Sequence, residues 1–205
     1  MLPSFLSLRK LRLGGSSGIA NKALTSLPES LGSLVSLQEL YLDKCKCLRA
    51  LPDSIGSLKA LTRLYLRECK GLKKLPDSIS NCTNLVELSL LKCTSLEALP
   101  HSIGRLCFLE DLIMMKCLCI KELPKSLTKC KALSLLDLRC CKKLKRLPGD
   151  FCNLDRLRIL LLAGCSNLVD LSPSLLQDLP SLELLDTKNC LLSKASPGQR
   201  TEDRL

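Results

Sequence analysis

Apolar residues recur along this chain at a fixed step of 24. The stretch LPESLGSLVSLQELYLDKCKCLRA, residues 27–50, is followed at once by LPDSIGSLKALTRLYLRECKGLKK, residues 51–74. Further copies begin at Leu75, Leu99, Leu123, Leu147 and Leu171. A fixed period of this length is typical of a repeat array, in which each unit buries its apolar face by stacking on its neighbours.

Each copy predicts one short strand and one short turn. In residues 51–74, Leu64 and Leu66 alternate with polar positions, and this period of two indicates a half-buried strand. The alternation turns Arg63, Tyr65 and Arg67 to the opposite face. Most copies open with Leu-Pro, which leads into Asp or Glu and then Ser in the copies that begin at Leu27, Leu51 and Leu75, and this pattern predicts a single helical or 3₁₀ turn.

The two ends of the array depart from the period. Residues 1–26 form an irregular first copy, because the step from Leu11 to Leu40 is longer than the others, which predicts an insertion of about five residues in GGSSGIANKA. This segment is interpreted as a widened surface turn and not as a phosphate loop, because Lys22 is followed by Ala23 where the Walker pattern needs Ser or Thr after its Lys. The last copy carries one extra residue.

One repeat domain is expected over residues 1–192, with regular copies over 27–190 and a polar, disordered tail over 193–205. No polar cap precedes residue 8, so another domain or a partner is expected to cover that end of the array. The start lacks a charged stretch followed by an apolar one, so no signal peptide is expected, and no apolar run reaches the ~18 residues of a membrane span.

The repeated pattern L-x-x-L-x-L-x-x-C-x-x-L resembles the leucine-rich repeat. The Cys in the Asn slot and the Leu-Pro that follows resemble the plant intracellular subclass, which occurs in nucleotide-binding leucine-rich repeat immune receptors, often with a Toll/interleukin-receptor-like domain, and in plant Ras-group repeat proteins. The resemblance implies an α/β solenoid: a right-handed horseshoe of about eight repeats, with a parallel sheet on the concave side and short helical or 3₁₀ turns on the convex side.

The same resemblance implies a non-catalytic recognition module. Its role would be ligand sensing or an autoinhibitory contact in plant defence signalling, and its partners would include a nucleotide-binding domain or a pathogen-derived or host protein. The alternative is a free-standing Ras-group-like scaffold in intracellular signalling. Nucleotide binding is not carried over, because the chain shows no Walker motif.

Seven of the 14 cysteines occupy one slot of the repeat: Cys45, Cys69, Cys93, Cys117, Cys141, Cys165 and Cys190. Stacked copies would set them in a buried row roughly one strand spacing apart, ~4.8 Å, where a thiol donates weakly to a turn carbonyl. So many thiols predict a reducing, intracellular location, cytoplasmic or nucleocytoplasmic.

The sequence offers little for catalysis or metal binding. His101 is the one histidine and stands at an exposed turn position, so no Ser-His-Asp set is available. The extra cysteines do not form the C-x-x-C pairs of zinc sites. We therefore expect neither an enzyme nor a bound metal or cofactor.

The formal net charge is +11. Much of it follows the Cys slot and is expected to form a basic edge of the solenoid: Lys70, Lys73, Lys74, Lys142, Lys143, Lys145 and Arg146, with Lys121 and Lys125 nearby. A solvated edge is the favoured interpretation, with docking onto an acidic protein as the second. A nucleic-acid surface would need stacking aromatics, and only 2% of the chain is aromatic, so no nucleic acid is expected.

The outward strand positions are the predicted protein-binding surface. They are Glu39, Tyr41, Arg63, Tyr65, Arg67, Leu91, Asp111, Ile113, Met115, Leu135, Asp137, Arg139, Ile159 and Leu161. The early copies are charged and carry two tyrosines suited to anchoring a partner. The later copies are expected to expose six apolar residues in one contiguous patch, a feature that usually marks a binding surface.

Overall fold

The structure, a computed structural model, describes residues 7–15, 19–169 and 179–190. Within these ranges, eight three-residue strands form one open parallel sheet whose strand order follows the chain. The strands are β1 Lys10–Arg12, β2 Glu39–Tyr41, β3 Arg63–Tyr65, β4 Glu87–Ser89, β5 Asp111–Ile113, β6 Leu135–Asp137, β7 Ile159–Leu161 and β8 Leu184–Asp186. The solenoid predicted from the repeat period is confirmed.

The middle residue of every strand is a leucine, and these leucines pair with one another across the sheet. Leu40, Leu64 and Leu136 are fully buried beneath it, because each has a repeat on both sides. The end strands are less covered: Leu11 is half-buried and Leu185 is 36% exposed. The apolar face of a repeat is thus buried by its neighbours, as expected for a stacked array.

In the described residues, each of the six copies that begin between Leu27 and Leu147 carries one 3₁₀ helix on the side opposite the sheet: η1 Glu29–Ser33, η2 Asp53–Ser57, η3 Asp77–Asn81, η4 Ile103–Arg105, η5 Lys125–Lys129 and η6 Phe151–Asn153. Pro52 precedes η2 with φ −69° and ψ 154°, so the chain enters the turn extended. Ile55 N then donates to Pro52 O at 3.1 Å, and Leu58 N to Ile55 O at 3.1 Å. The expected single turn per copy is confirmed.

Where a copy has glycine at the junction between successive 3₁₀ turns, the turns pack too closely to admit a Cβ without a shift. A Cβ on Gly56 would lie 2.5 Å from the carbonyl oxygen of Ser78 in the next turn, and Gly104 stands in the same relation to Ser126. Ser80 occupies the glycine slot in another copy, and its hydroxyl folds back onto its own turn at 2.8 Å. Glycine therefore permits the close approach in the copies that carry it, whereas Ser80, Thr128 and Cys152 take the same slot in the others.

The first copy keeps the sheet register across its insertion, since Leu11 pairs with Leu40 as the longer step predicts. Asn21 takes the slot that cysteine fills elsewhere and forms a parallel bridge with Cys45. Its Nδ2 donates to Leu13 O at 2.9 Å, and its Oδ1 accepts from Leu24 N at 3.0 Å. Sequence reasoning missed this residue, although Asn21 stands one regular step before Cys45.

At the other end, Ile159 pairs with Leu184, one position beyond the regular step, which confirms the extra residue of the last copy. The tail over 193–205 and the centre of the first-copy insertion, residues 16–18, lie outside the described residues. No helix in the described part of the chain is both long enough and apolar enough to cross a membrane.

Candidate protein-binding surface

The outer side of the sheet, which we call the strand face, consists of three rows of side chains. The first row runs Lys10, Glu39, Arg63, Glu87, Asp111, Leu135, Ile159 and Leu184. The second runs Arg12, Tyr41, Tyr65, Ser89, Ile113, Asp137, Leu161 and Asp186. The third, two residues further on, runs Asp43, Arg67, Leu91, Met115, Arg139 and Ala163. Residues one repeat apart in sequence are therefore direct neighbours on this face.

An aromatic stack occupies the second row. The rings of Tyr41 and Tyr65 lie 4.7 Å apart with an interplanar angle of 19°. The guanidinium of Arg12 sits 4.2 Å from the centre of the Tyr41 ring, and that of Arg67 sits 4.9 Å from the centre of the Tyr65 ring. Such cation–π contacts stabilise the stack, so the tyrosines are held in place by their own neighbours.

Glu39 lies beside this stack and is only 5% exposed. It accepts hydrogen bonds from Tyr41 Oη at 2.6 Å and Arg63 Nη1 at 2.8 Å, and Lys10 Nζ lies 3.1 Å away. The hydrogen bond from Tyr41, aided by Lys10 and Arg63, lowers the pKa of Glu39 although burial opposes it. Glu39 is therefore a buried, fully paired carboxylate and not an accessible contact.

Glu87, two strands beyond Glu39, is also paired, in this case by groups of the preceding strand. Tyr65 Oη donates to Glu87 Oε2 at 2.6 Å, while Arg67 Nη2 lies 4.0 Å from Oε1. Arg67 Nε also donates to Ser89 Oγ at 3.2 Å. Burial, then the bond to Glu87, raises the pKa of Tyr65, so its phenol stays protonated and donates. The carboxylates of β1–β4 are thus paired within the face, which their separate positions in the sequence did not indicate.

A third paired carboxylate, Asp137, lies on β6. Asp137 is 4% exposed and accepts from Arg139 Nε at 3.0 Å and from Arg139 Nη2 at 2.8 Å. The Arg139 backbone N–H adds a third bond at 3.1 Å. The hydrogen bond to Asp137 also raises the pKa of Arg139. Asp137 therefore satisfies its charge through the arginine two residues later, a bidentate geometry that needs no partner protein.

Six apolar residues form what we call the apolar patch, on β5–β7 and just beyond β4 and β5: Leu91, Ile113, Met115, Leu135, Ile159 and Leu161. All six are half-buried. Each therefore presents only part of its side chain, which is less exposure than the sequence pattern indicates. Strands only ~4.8 Å apart explain the difference, because adjacent side chains cover one another's flanks. The patch is a shallow apolar surface and not a set of protruding anchors.

The cysteine slot forms a buried row beneath the turns that follow the strands. The thiols of Cys69 and Cys93 donate to the carbonyl oxygens of Leu42 and Leu66, each at 3.0 Å. The rest of the row repeats the contact at 3.0–3.2 Å for Cys117, Cys141, Cys165 and Cys190, and at 3.7 Å for Cys45. Burial raises the pKa of Cys93, Cys141 and Cys165 to about 12, so these three thiols remain protonated donors.

All 14 cysteines of the chain lie in the described ranges and carry free thiols. Nine are buried, Cys47 and Cys107 are exposed, and the others are intermediate. In the described residues, no three Cys, His, Asp or Glu side chains converge as a metal site would require. His101 lies exposed at the turn before η4.

The basic side chains after the cysteine slot are exposed, but they do not form one continuous edge. Lys70, Lys73 and Lys74 belong to one repeat, whereas Lys142, Lys143, Lys145 and Arg146 belong to another three copies on. Between them, residues 94–98 carry no basic side chain and include Glu97. Lys121 and Lys145 line a hollow of about 510 Å³ together with Glu122. The basic side chains are therefore interrupted at one copy and fall into two basic clusters along the array, and the predicted basic edge stays a prediction.

Comparison with protein families supports the architecture. A family model described as a leucine-rich repeat region matches residues 1–112, more than half of the 205 residues. The chain belongs to this family. Leucine-rich repeat domains are generally protein–protein interaction modules, and the members of this fold are typically non-catalytic. A comparison with curated proteins finds no match.

Solved structures give the same fold. The leucine-rich repeat domain of the type III effector XopL is 28% identical with a TM-score of 0.74, over 90% of this chain and 71% of that one. A Leptospira interrogans leucine-rich repeat protein is 27% identical with a TM-score of 0.53, and the match covers 90% of this chain and 62% of that one. Drosophila Toll, solved in complex with Spätzle, is 22% identical with a TM-score of 0.66. The match covers 89% of this chain and 25% of that one, and it shows a shared fold alone. The chain thus spans less than two thirds of the last two.

Proposed function

We propose that this chain is a non-catalytic recognition module that binds a protein partner on the strand face, at the apolar patch centred on strands β5–β7. One observation carries the proposal. On β1–β4 the charges and phenols bond to one another, whereas the six patch residues remain half-exposed on neighbouring strands. A partner gains free energy by removing apolar surface from water, and it gains little from groups that are already paired.

A finer role follows from the resemblance of the repeat to the plant intracellular subclass. In this role the module senses a ligand or makes an autoinhibitory contact in plant defence signalling, with a nucleotide-binding domain or a pathogen-derived or host protein as its partner. Fourteen free thiols support a reducing cytoplasmic or nucleocytoplasmic location. The alternative is a Ras-group-like scaffold that binds a small GTPase or a phosphatase.

The double variant Ile113→Glu with Leu161→Glu tests the surface, because it places two charges in the apolar patch. The matched control is Val35→Glu, at a residue that is 51% exposed on the loop after η1, away from the strand face. We expect both proteins to fold, as judged by thermal unfolding, and only the double variant to lose partner capture from plant cytosol. A double variant that folds and captures the same partner as the unmodified chain would refute the proposed surface.

The captured protein also separates the two finer roles. A nucleotide-binding domain supports the immune-receptor role, and a small GTPase or phosphatase supports the scaffold. Capture should be repeated at high and low salt, since a contact through the basic clusters weakens as salt rises, whereas an apolar contact does not.

A further inference from the structure

Asp111 differs from every other carboxylate on the described strand face. Glu39, Glu87 and Asp137 each accept side-chain hydrogen bonds. Asp43 accepts from Arg67 N at 2.9 Å, and Asp186 accepts from Lys188 N at 3.2 Å.

In the described residues, which include both strands beside β5, nothing donates a hydrogen bond to Asp111 and no Lys or Arg forms an ion pair with it. Asp111 is therefore the one carboxylate of the strand face whose partner is missing from the described chain.

The neighbours of Asp111 do not compensate its charge. Glu87 precedes it in the first row and is committed to Tyr65 and Arg67. Leu135 follows it, and Ile113 stands two residues on in the same strand. Burial first, then the charges of Glu87 and Glu110, raise the pKa of Asp111. A cation from outside would relieve this unfavourable environment, because opposite charges attract strongly where water is partly excluded.

The position of Asp111 at the border of the apolar patch specifies what else the occupant carries. In the first row, Leu135 lies one strand from Asp111, at about 5 Å, and Ile159 lies two strands from it, at about 10 Å. An extended segment that crosses the strands places side chains i and i+2 about 6.6 Å apart on one side. A basic side chain over Asp111 is then followed two residues later by a side chain between Leu135 and Ile159.

We propose that the occupant of the apolar patch is a polypeptide segment that places a lysine or arginine against Asp111 and apolar side chains against Leu135, Ile159 and Leu161. This rests on the proposed function and adds the chemistry of the partner to it. The paired charges of β1–β4 leave Asp111 as the charge that selects among apolar segments. The segment carries the pattern of a basic residue, any residue and an apolar residue.

The test uses a displayed library of random peptides, each roughly a dozen residues long and so able to span the patch as an extended strand, selected on the full chain, on Asp111→Asn and on Asp53→Asn. Asp53 is an exposed aspartate of η2, so its substitution removes the same charge on the opposite side of the array. We expect the unmodified chain and Asp53→Asn to enrich peptides with a basic residue two places from an apolar one. Asp111→Asn should still enrich apolar peptides but lose the basic preference.

Binding of one enriched synthetic peptide then measures the coupling between Asp111 and the basic residue of the peptide. Asp111→Asn and replacement of the peptide's basic residue by Gln should each weaken binding about tenfold, the order expected when a charge-assisted hydrogen bond is lost at a partly desolvated site. Together they should weaken it no more than either alone, because both remove the same contact. Additive losses would overturn the inference.

Two further outcomes separate this inference from the proposed function. Peptides that need Ile113 and Leu161 but show no basic preference would overturn the inference and leave the proposed function standing. If no peptide binding depends on the patch, both are refuted. Sedimentation of the chain alone checks a second copy as the occupant: self-association that Ile113→Glu abolishes would overturn the choice of a separate partner.

Discussion

The close stacking of the 3₁₀ turns makes a sharp prediction for Gly56→Ala. The new Cβ would stand 2.5 Å from the carbonyl oxygen of Ser78 and 3.0 Å from its Cβ. Ordinary C···O contacts lie at about 3.3–3.6 Å, so η3 must retreat by roughly 1 Å. The neighbouring atom is a backbone carbonyl and cannot rotate away as a long side chain would.

The size of the effect follows from two opposing terms. Overpacking of this kind costs about 1–3 kcal/mol. Alanine restricts the unfolded chain more than glycine does, which offsets about 0.4–1 kcal/mol. The free energy of unfolding should therefore fall by about 0.5–2 kcal/mol, a loss of roughly 2–6 °C in Tm for a chain of this size. Hydrogen exchange should quicken first around η2 and η3, because a repeat contacts only its neighbours.

Gly149→Ala is the matched control, since a Cβ there meets nothing within 4 Å. It should leave the free energy of unfolding unchanged or raise it by up to about 1 kcal/mol, as expected for an unstrained Gly→Ala change. Urea unfolding of the two variants beside the unmodified chain measures the difference. Equal stabilities for Gly56→Ala and Gly149→Ala would refute the argument that backbone contact between turns sets their spacing.

Three further predictions concern the charges and thiols. Glu39→Gln should lower stability at pH 7, and its deficit should shrink as the pH falls below about 4.5, because a lowered pKa stabilises the fold only while the carboxylate is ionised. Asp111→Asn should raise stability at pH 7 and lose that advantage below about pH 4, because a raised pKa means that ionisation opposes folding. Urea unfolding between pH 3 and 7 measures how the stability difference between each variant and the unmodified chain changes with pH. A Glu39→Gln deficit that grows as the pH falls, or an Asp111→Asn advantage that grows, would contradict the assigned environments. Brief iodoacetamide treatment of the native chain should modify Cys47 and Cys107 but spare the buried Cys93, as read by mass spectrometry; early labelling of Cys93 would refute the buried thiol row.

The strands and turns were predictable because each is determined within a single repeat. Leu64 and Leu66 are two positions apart, and the same pair of inward apolar positions recurs at each step of 24 through Leu160 and Leu162. The longer step from Leu11 to Leu40 likewise predicted where β1 pairs. Local periodicity was sufficient in these places because parallel stacking repeats one register along the whole array.

The chemistry of the strand face was less predictable, because it depends on pairs of residues one repeat apart. Glu39 and Arg63 each resemble an exposed charge when considered alone, yet the register sets them 2.8 Å apart. The unpaired state of Asp111 is likewise visible only when both neighbouring strands are compared. Asn21 was missed for a related reason, since its slot shifts with the insertion in the first copy.

The pairing pattern also determines where on the array a partner can gain free energy. Docking over β1–β4 would remove water from the Glu39 and Glu87 pairs and offer them no better partner, so desolvation is a net cost there. Docking over β5–β7 removes apolar surface from water and brings a cation to Asp111, so both contributions are favourable. The apolar area supplies affinity for many sequences, whereas the single carboxylate discriminates between them. Substitutions in the patch should therefore weaken every partner, and substitutions at Asp111 should change which partners bind.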